Sequence, residues 1–181
     1  IPNLVVMAPA DESECRRMLT TAYHYPGPAA VRYPRGAGPA VPPAPTLDSI
    51  EIGKGEVRRN GKQVAILAFG TLLAAALEAG ETLDATVANM RFVKPLDVDL
   101  IRALADAHDA LVTLEENAII GGAGSEVARA LETMGSTKPL LRLGLPDSFI
   151  EQGEQGQLLA ELGLNAPAIV ERIKTFRPAI T

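Results

Sequence analysis

Tryptophan is absent from the 181 residues, aromatic residues make up only 4%, and one cysteine, Cys15, stands alone. A single thiol excludes an internal disulfide. Its register with Met18, Leu19 and Ala22 on one helical face predicts a small buried hydrophobe rather than a nucleophile or metal ligand. Positive charge is scarce too: 17 Lys and Arg against 22 Asp and Glu leave a formal charge of −5. With no basic stripe to neutralise phosphates in series, nucleic acid is excluded as a partner. No apolar run approaches the roughly 18 residues that a membrane span requires, and Ile1-Pro2-Asn3 puts no basic region ahead of an apolar stretch. These absences lead us to expect a soluble cytoplasmic protein. Apolar residues are plentiful, at 47%, enough to bury one good core and part of another.

The pattern of those apolar residues predicts an α/β chain in two unequal parts. Leu4 to Ala8 reads as a short parallel strand buried on both faces. Asp11 is placed to cap a helix that runs to Tyr23 or His24, with Glu14 positioned to reach back as in a capping box. Pro26-Gly27-Pro28 ends that helix and Ala29 to Tyr33 returns as a second strand, completing one βαβ unit. Such a unit cannot cover its own edges and faces, so we expect further chain upstream. Pro39, Pro42, Pro43 and Pro45 then mark residues 37–50 as an extended linker.

Glu56 to Arg59 and Val64 to Leu67 flank Asn60-Gly61, which predicts a hairpin whose first arm is an antiparallel edge strand. A βα alternation follows. Helices are predicted at Leu72 to Ala79, Val98 to Ala107 and Ser125 to Met134, and strands at Ala85 to Met90, Ala110 to Leu114 and Leu140 to Leu145. Closing helices are predicted at Glu154 to Leu162 and Ala166 to Phe176, with caps at Asp97 and Asn165 and Pro167 early in the last one. The expected architecture is a partial βαβ unit followed by a three-layer α/β/α domain, its sheet mostly parallel with one antiparallel edge strand.

Arg35 carries the sharpest chemical signal. It sits just past the carboxyl end of a predicted parallel strand, where ligands of open α/β sheets gather, and its planar fork suits a phosphate. The alternative is a surface arginine or one paired to a carboxylate. Gly121-Gly122-Ala123-Gly124-Ser125 could offer backbone N–H groups to an anion, or simply reverse the chain and pack a helix closely. Its spacing fits neither a dinucleotide fingerprint nor a Walker loop. Glu115 and Glu116, neighbours on an extended segment, point to opposite faces and cannot share a proton. Asp97, Asp99 and Asp106 are spaced for capping and a solvated face, and His24 and His108 fall at helix C-termini, where a cation complements the dipole. Asp147, after Pro146, reads as a turn or cap residue. No catalytic set and no metal ligand set is complete.

Five blocks, in order, are similar to the 1-deoxy-D-xylulose-5-phosphate synthase family of thiamine-diphosphate enzymes of the transketolase type. They are Val6-Met7-Ala8-Pro9-Ala10-Asp11-Glu12-Ser13-Glu14-Cys15-Arg16, Ala30-Val31-Arg32-Tyr33-Pro34-Arg35-Gly36, Met90-Arg91-Phe92-Val93-Lys94-Pro95-Leu96-Asp97, Glu115-Glu116-Asn117-Ala118 with Gly121 to Ser125, and Leu143-Gly144-Leu145-Pro146-Asp147. The resemblance implies that residues 1–36 end a pyrimidine-binding domain and that 51–181 form a transketolase-type C-terminal domain. It implies condensation of pyruvate with D-glyceraldehyde 3-phosphate to 1-deoxy-D-xylulose 5-phosphate and CO2, in a homodimer carrying thiamine diphosphate and Mg2+. Arg35 matches the family arginine that holds the acceptor phosphate, with Arg32 and Tyr33 beside the pocket. The family's metal-binding motif, activating glutamate and active-site histidines have no counterpart, so no catalytic, cofactor or metal residue is expected here. A transketolase or a 2-oxo acid dehydrogenase β subunit shares the implied fold, and a non-catalytic interaction module is the reading from another class.

Overall fold

The computed structural model describes residues 1–177. Strand β1 (Val5–Met7), helix α1 (Glu12–His24) and strand β2 (Ala29–Val31) form the expected βαβ unit, with Val5 opposite Ala29 and Met7 opposite Val31 in parallel. Asp11 caps α1 by accepting from Glu14 N at 2.8 Å. No helix or strand interrupts residues 32–55. This stretch lies along α1: Glu12 accepts from Ala40 N at 2.9 Å, and Ile50 N donates to Thr21 Oγ1 at 2.7 Å.

A second sheet follows the linker. Strands β3 (Glu56–Arg59), β4 (Val64–Phe69) and β5 (Thr86–Asn89) lead to β6 (Phe92–Lys94), then β7 (Ala110–Ala118) and β8 (Leu140–Leu145). The order is β3-β5-β4-β7-β8, parallel except at β3. A 3-10 turn at Gly70–Leu72 opens α2 (Leu73–Leu83), and α3 (Val98–Ala107), α4 (Ala123–Thr133), α5 (Gln155–Glu161) and α6 (Ala166–Phe176) complete the chain. Side chains alternate across a strand, and β4 shows the result. Val64, Ile66 and Ala68 pack toward α2 and α6, whereas Ala65, Leu67 and Phe69 pack toward α3 and α4. Both faces are covered, giving the three-layer α/β/α architecture with one antiparallel edge. No helix among the described residues is long and apolar enough to cross a membrane.

Four local expectations are corrected. The Asn60-Gly61 turn does not make a hairpin, because β5 inserts between β3 and β4. Gly61 instead lets the chain cross the α2–β5 junction, where a Cβ would lie 2.3 Å from the backbone carbon of Ala85. Phe92–Lys94 was not expected as a strand, yet it leaves the large sheet and pairs antiparallel with β1, making a small sheet of order β2-β1-β6. The buried face of α1 carries Glu14, Met18 and Thr21, so Leu19 is half exposed and Cys15 only partly covered. Glu14 reaches past its capping-box partner to the N–H of Ala10, at 2.8 Å.

Glu14 and Glu115 are the two buried glutamates among the described residues. Glu14 also accepts from Asn89 Nδ2 at 3.0 Å and pairs with Arg91 Nε at 2.7 Å. Arg91 in turn contacts Glu56. Glu115 serves α4, which begins at Gly122 with no side-chain cap of its own. It accepts from Ala123 N at 2.7 Å and Gly124 N at 2.8 Å. A Cβ on Gly122 would stand 2.4 Å from Glu115 Oε2, so glycine is required for this approach. Burial pushes the Glu115 carboxyl above its ordinary value, opposed by those N–H groups and by the charges of Arg32 and Arg142.

Two outcomes follow for stability. Glu14→Ala leaves the buried Asn89 amide and the Nε of Arg91 without their acceptor and should cost about 3 kcal/mol, whereas Asp11→Ala should cost about 1 kcal/mol. Denaturant midpoints compare them, and a Glu14→Ala loss smaller than that of Asp11→Ala would contradict the network. Because the folded pKa of Glu115 is raised, its protonated form is favoured by folding. That contribution is complete below the ordinary value of 4.5 and is lost as pH rises through the folded value. The stability of the wild-type chain relative to Glu115→Gln should therefore fall with rising pH across this range; a relative stability that climbs would reverse the assignment.

Candidate functional site

The carboxyl ends of β2, β7 and β8 meet the start of α5 around a cleft of about 430 Å3. One wall is the Arg32–Arg35 segment and Glu116; the other is apolar, with Leu145, Ile150 and Leu159. Arg35 is exposed on this cleft and enters no salt bridge among the described residues. Of the two alternatives for Arg35, pairing with a carboxylate is therefore not what the structure shows. Arg32 is engaged, its guanidinium donating to the backbone carbonyl of Glu116. Tyr33 lines the same cleft and is 60% exposed.

Glu116 is the residue whose place the sequence hinted at least. Its carboxylate accepts from Thr71 Oγ1 at 3.1 Å and from Gln155 Nε2 at 3.2 Å. Glu115 turns the other way, to the α4 terminus, as neighbours on a strand must. The N–H groups of Ala123 and Gly124 are thereby occupied by an internal carboxylate. Ser125 Oγ donates to the carbonyl of Ile119 at 3.1 Å, and Gly121 N donates to Ser125 Oγ at 3.2 Å. The glycine-rich run is a packing turn.

The remaining candidates have structural roles. Asp97 caps α3 by accepting from Leu100 N at 3.0 Å and holds Gly55 N at 3.0 Å. Asp99 pairs with Lys54 at 3.6 Å, and Asp106 and Asp147 are exposed. His108 is buried at the end of α3, with Nδ1 2.8 Å from the Leu104 carbonyl and Nε2 2.7 Å from Thr86 Oγ1. His24, in the last turn of α1, packs edge-on against Tyr23. Burial, then Asp11 and Glu12, push the Cys15 thiol above its usual value, which opposes a nucleophilic thiolate. Among the described residues, no three His, Cys, Asp or Glu side chains converge to hold a metal ion. A larger groove of about 750 Å3 along α1, lined by Leu19, Tyr23, Pro43 and Leu47 among others, is mainly apolar.

The sequence model described as Transketolase, C-terminal domain, matches residues 53–169. A 1-deoxy-D-xylulose-5-phosphate synthase of Aromatoleum aromaticum is 66% identical over 174 residues, which is 96% of this chain and 28% of that protein. The protein of the same name from Dechloromonas aromatica is 62% identical over the same shares. The chain thus spans a little over a quarter of the length of these curated relatives. Among solved structures, one titled "Split gene transketolase, inactive beta4 tetramer" superposes with a TM-score of 0.85 at 35% identity, covering 97% of this chain and 57% of that one. A transketolase from Leishmania mexicana, at 18% identity and a TM-score of 0.70, covers 99% of this chain and 26% of its own, and shares the fold. With its three layers, antiparallel edge strand and these matches, the chain belongs to the transketolase C-terminal domain family.

Proposed function

We propose that this chain is the carboxyl-terminal part of a 1-deoxy-D-xylulose-5-phosphate synthase. The whole enzyme would join pyruvate, after decarboxylation, to D-glyceraldehyde 3-phosphate, giving 1-deoxy-D-xylulose 5-phosphate and CO2. That transferase reaction opens the non-mevalonate route to isoprenoids and also feeds thiamine and pyridoxal phosphate synthesis. In this reading residues 1–36 close the pyrimidine-binding domain, 37–50 are the linker and 51–181 are the C-terminal domain. The enzyme works as a cytoplasmic homodimer. Identity of 66% to a synthase against 35% to a split-gene transketolase favours this substrate pair over the transketolase alternative.

The observation that carries the reading is an unpaired, strand-end guanidinium facing a cleft. Arg35 would hold the phosphate of glyceraldehyde 3-phosphate through two parallel N–H donors, and the fixed phosphate would orient the distant aldehyde. Thiamine diphosphate and Mg2+ are the groups that the whole enzyme would carry, and no ligand set for the metal ion comes together among the described residues. They would be held elsewhere in the whole enzyme, where thiamine diphosphate supplies carbanion stabilisation. This chain's part is to bind and orient the acceptor.

In the complete enzyme, Arg35→Ala should raise the KM for glyceraldehyde 3-phosphate about 10- to 100-fold, the loss expected for hydrogen bonds to a charged group. The KM for pyruvate should change less than about twofold. Arg35→Lys should recover part of the loss, since a point charge replaces a fork. Steady-state kinetics with product identification makes the test. Unaltered acceptor kinetics in Arg35→Ala would reject Arg35 as the phosphate anchor, and absence of 1-deoxy-D-xylulose 5-phosphate among the products would reject the activity.

A further inference from the structure

Arg35 stands on a stretch that contains neither helix nor strand, residues 32–55, so single bonds decide where it lies. Arg32, just upstream, is held twice. Its backbone N–H donates to the Met7 carbonyl at 2.8 Å, which carries the pairing of β2 with β1 past Val31. Its guanidinium crosses to the other sheet and donates to the backbone carbonyl of Glu116, near the end of β7. The same positive charge acts on the neighbouring Glu115 carboxyl, opposing the upward push of burial. Among the described residues, no other hydrogen bond joins residues 32–39 to the three-layer domain. Between the two arginines the backbone has little freedom. The ring of Pro34 fixes its own φ, and Tyr33, standing before a proline, is confined to extended conformations. A displacement of Arg32 is therefore passed on to Arg35. Downstream the next hold is Glu12, whose carboxylate accepts from Ala40 N at 2.9 Å and Val41 N at 3.2 Å. Gly36 and Gly38 lie between that clasp and Arg35, and glycine transmits little restraint.

We propose that Arg32 is a positioning residue for Arg35: its bond to the Glu116 carbonyl fixes the end of β2 against β7 and so sets where the Arg35 guanidinium stands in the cleft. This rests on the reading of Arg35 as the phosphate anchor. Because the acceptor is a main-chain carbonyl, the tie belongs to strand β7 and not to the side chain of Glu116. The two arginines line the same cleft but do different work. Arg32 joins the two sheets, and Arg35 is left for the anion. The consequence is a selective loss. Without the tie, the end of β2 shifts relative to β7, the guanidinium samples more positions, and phosphate capture weakens. Pyruvate, which does not use Arg35, is unaffected, and so is an acceptor that has no phosphate to capture.

The test is steady-state kinetics of the complete enzyme with glyceraldehyde 3-phosphate and with D-glyceraldehyde, which lacks the phosphate. Arg32→Ala should raise the KM for glyceraldehyde 3-phosphate roughly 5- to 10-fold, the scale of one hydrogen bond from a charged group. The KM for pyruvate and the kcat/KM for D-glyceraldehyde should stay within about twofold, since neither depends on a bond to phosphate. Arg32→Lys, which keeps one charged donor, should recover part of the loss. Glu12→Ala cuts the softer hold and should change the acceptor KM less than about twofold. A residue that acts through another is non-additive with it, so in an Arg35→Ala background Arg32→Ala should add less than about twofold. A full multiplicative effect there would mean that Arg32 touches the phosphate itself and would overturn the positioning role. So would an acceptor KM that Arg32→Ala leaves unchanged while Arg35→Ala raises it, equal losses with the two acceptors, or a Glu12→Ala loss as large as that of Arg32→Ala. Should Arg32→Ala fail to fold, Arg32→Gln carries the same comparisons. If Arg35→Ala alone leaves the acceptor KM unchanged, the anchor reading fails first and takes this inference with it.

Discussion

Glu14 projects from the first turn of α1 into a space closed to water, and a carboxylate there is tolerable only when its charge is paired and its oxygens are hydrogen-bonded. The donors come from three places: Ala10 on the approach to α1, Asn89 at the end of β5, and Arg91 just beyond it. Arg91 has a left-handed backbone, with φ of 59°, which turns the chain out of the large sheet. The next residues then pair with β1, and the Arg91 carbonyl accepts from Ala8 N at 2.8 Å. One buried charge thus explains why β6 belongs to the small sheet. It also bolts the βαβ unit to the domain that follows, because Phe92 is carried into the core formed by Val5, Met7, Met18 and Ile50.

That junction decides where β2 points. With β1 held by β6 on one side and β2 on the other, the carboxyl end of β2 is delivered over the carboxyl ends of β4 and β7. Thr71, Glu116 and the start of α5 wait there. The cleft is therefore a product of two sheets meeting rather than of either alone. Its two walls differ for the same reason: the strand-end segment brings charge, whereas Leu145, Ile150 and Leu159 bring the apolar edge of the three-layer domain. A ligand with a charged end and a compact body meets a complementary surface only where both are present.

Much of this was legible in the sequence because it is local. The Asp97 and Asn165 caps and the length of α3 each follow from signals within a few residues, and the structure shows them as read, whereas β4, read from Val64 to Leu67, runs on to Phe69. Arg35 could be singled out because a strand end is also a local feature. The misreadings are all cases where a distant partner decided the outcome. Asn60-Gly61 has the composition of a hairpin turn, but β5, more than twenty residues on, occupies the place beside β3. Phe92–Lys94 is too short to register as a strand without β1 opposite it. Glu14 looked like a capping-box residue because its partners Asn89 and Arg91 lie 75 and 77 positions away. Nothing near Gln155 or Thr71 announces that both bind Glu116.

The two plausible anion sites of this chain are distinguished by what already fills them. The glycine-rich turn before α4 has the geometry of a phosphate cradle, with aligned N–H groups and a helix dipole behind them. Its place is taken by Glu115, at 2.7 and 2.8 Å, so an external anion would have to displace a buried carboxylate that has nowhere else to turn. Arg35 presents the opposite case. Its neighbours are satisfied: Arg32 by a carbonyl, Glu116 by a hydroxyl and an amide, and Glu115 by backbone N–H groups. Among the described residues of this cluster every charged side chain but one is matched, and the proposed phosphate site rests on that one. The unmatched group is a guanidinium, and its natural complement is a dianionic oxygen array such as a phosphate.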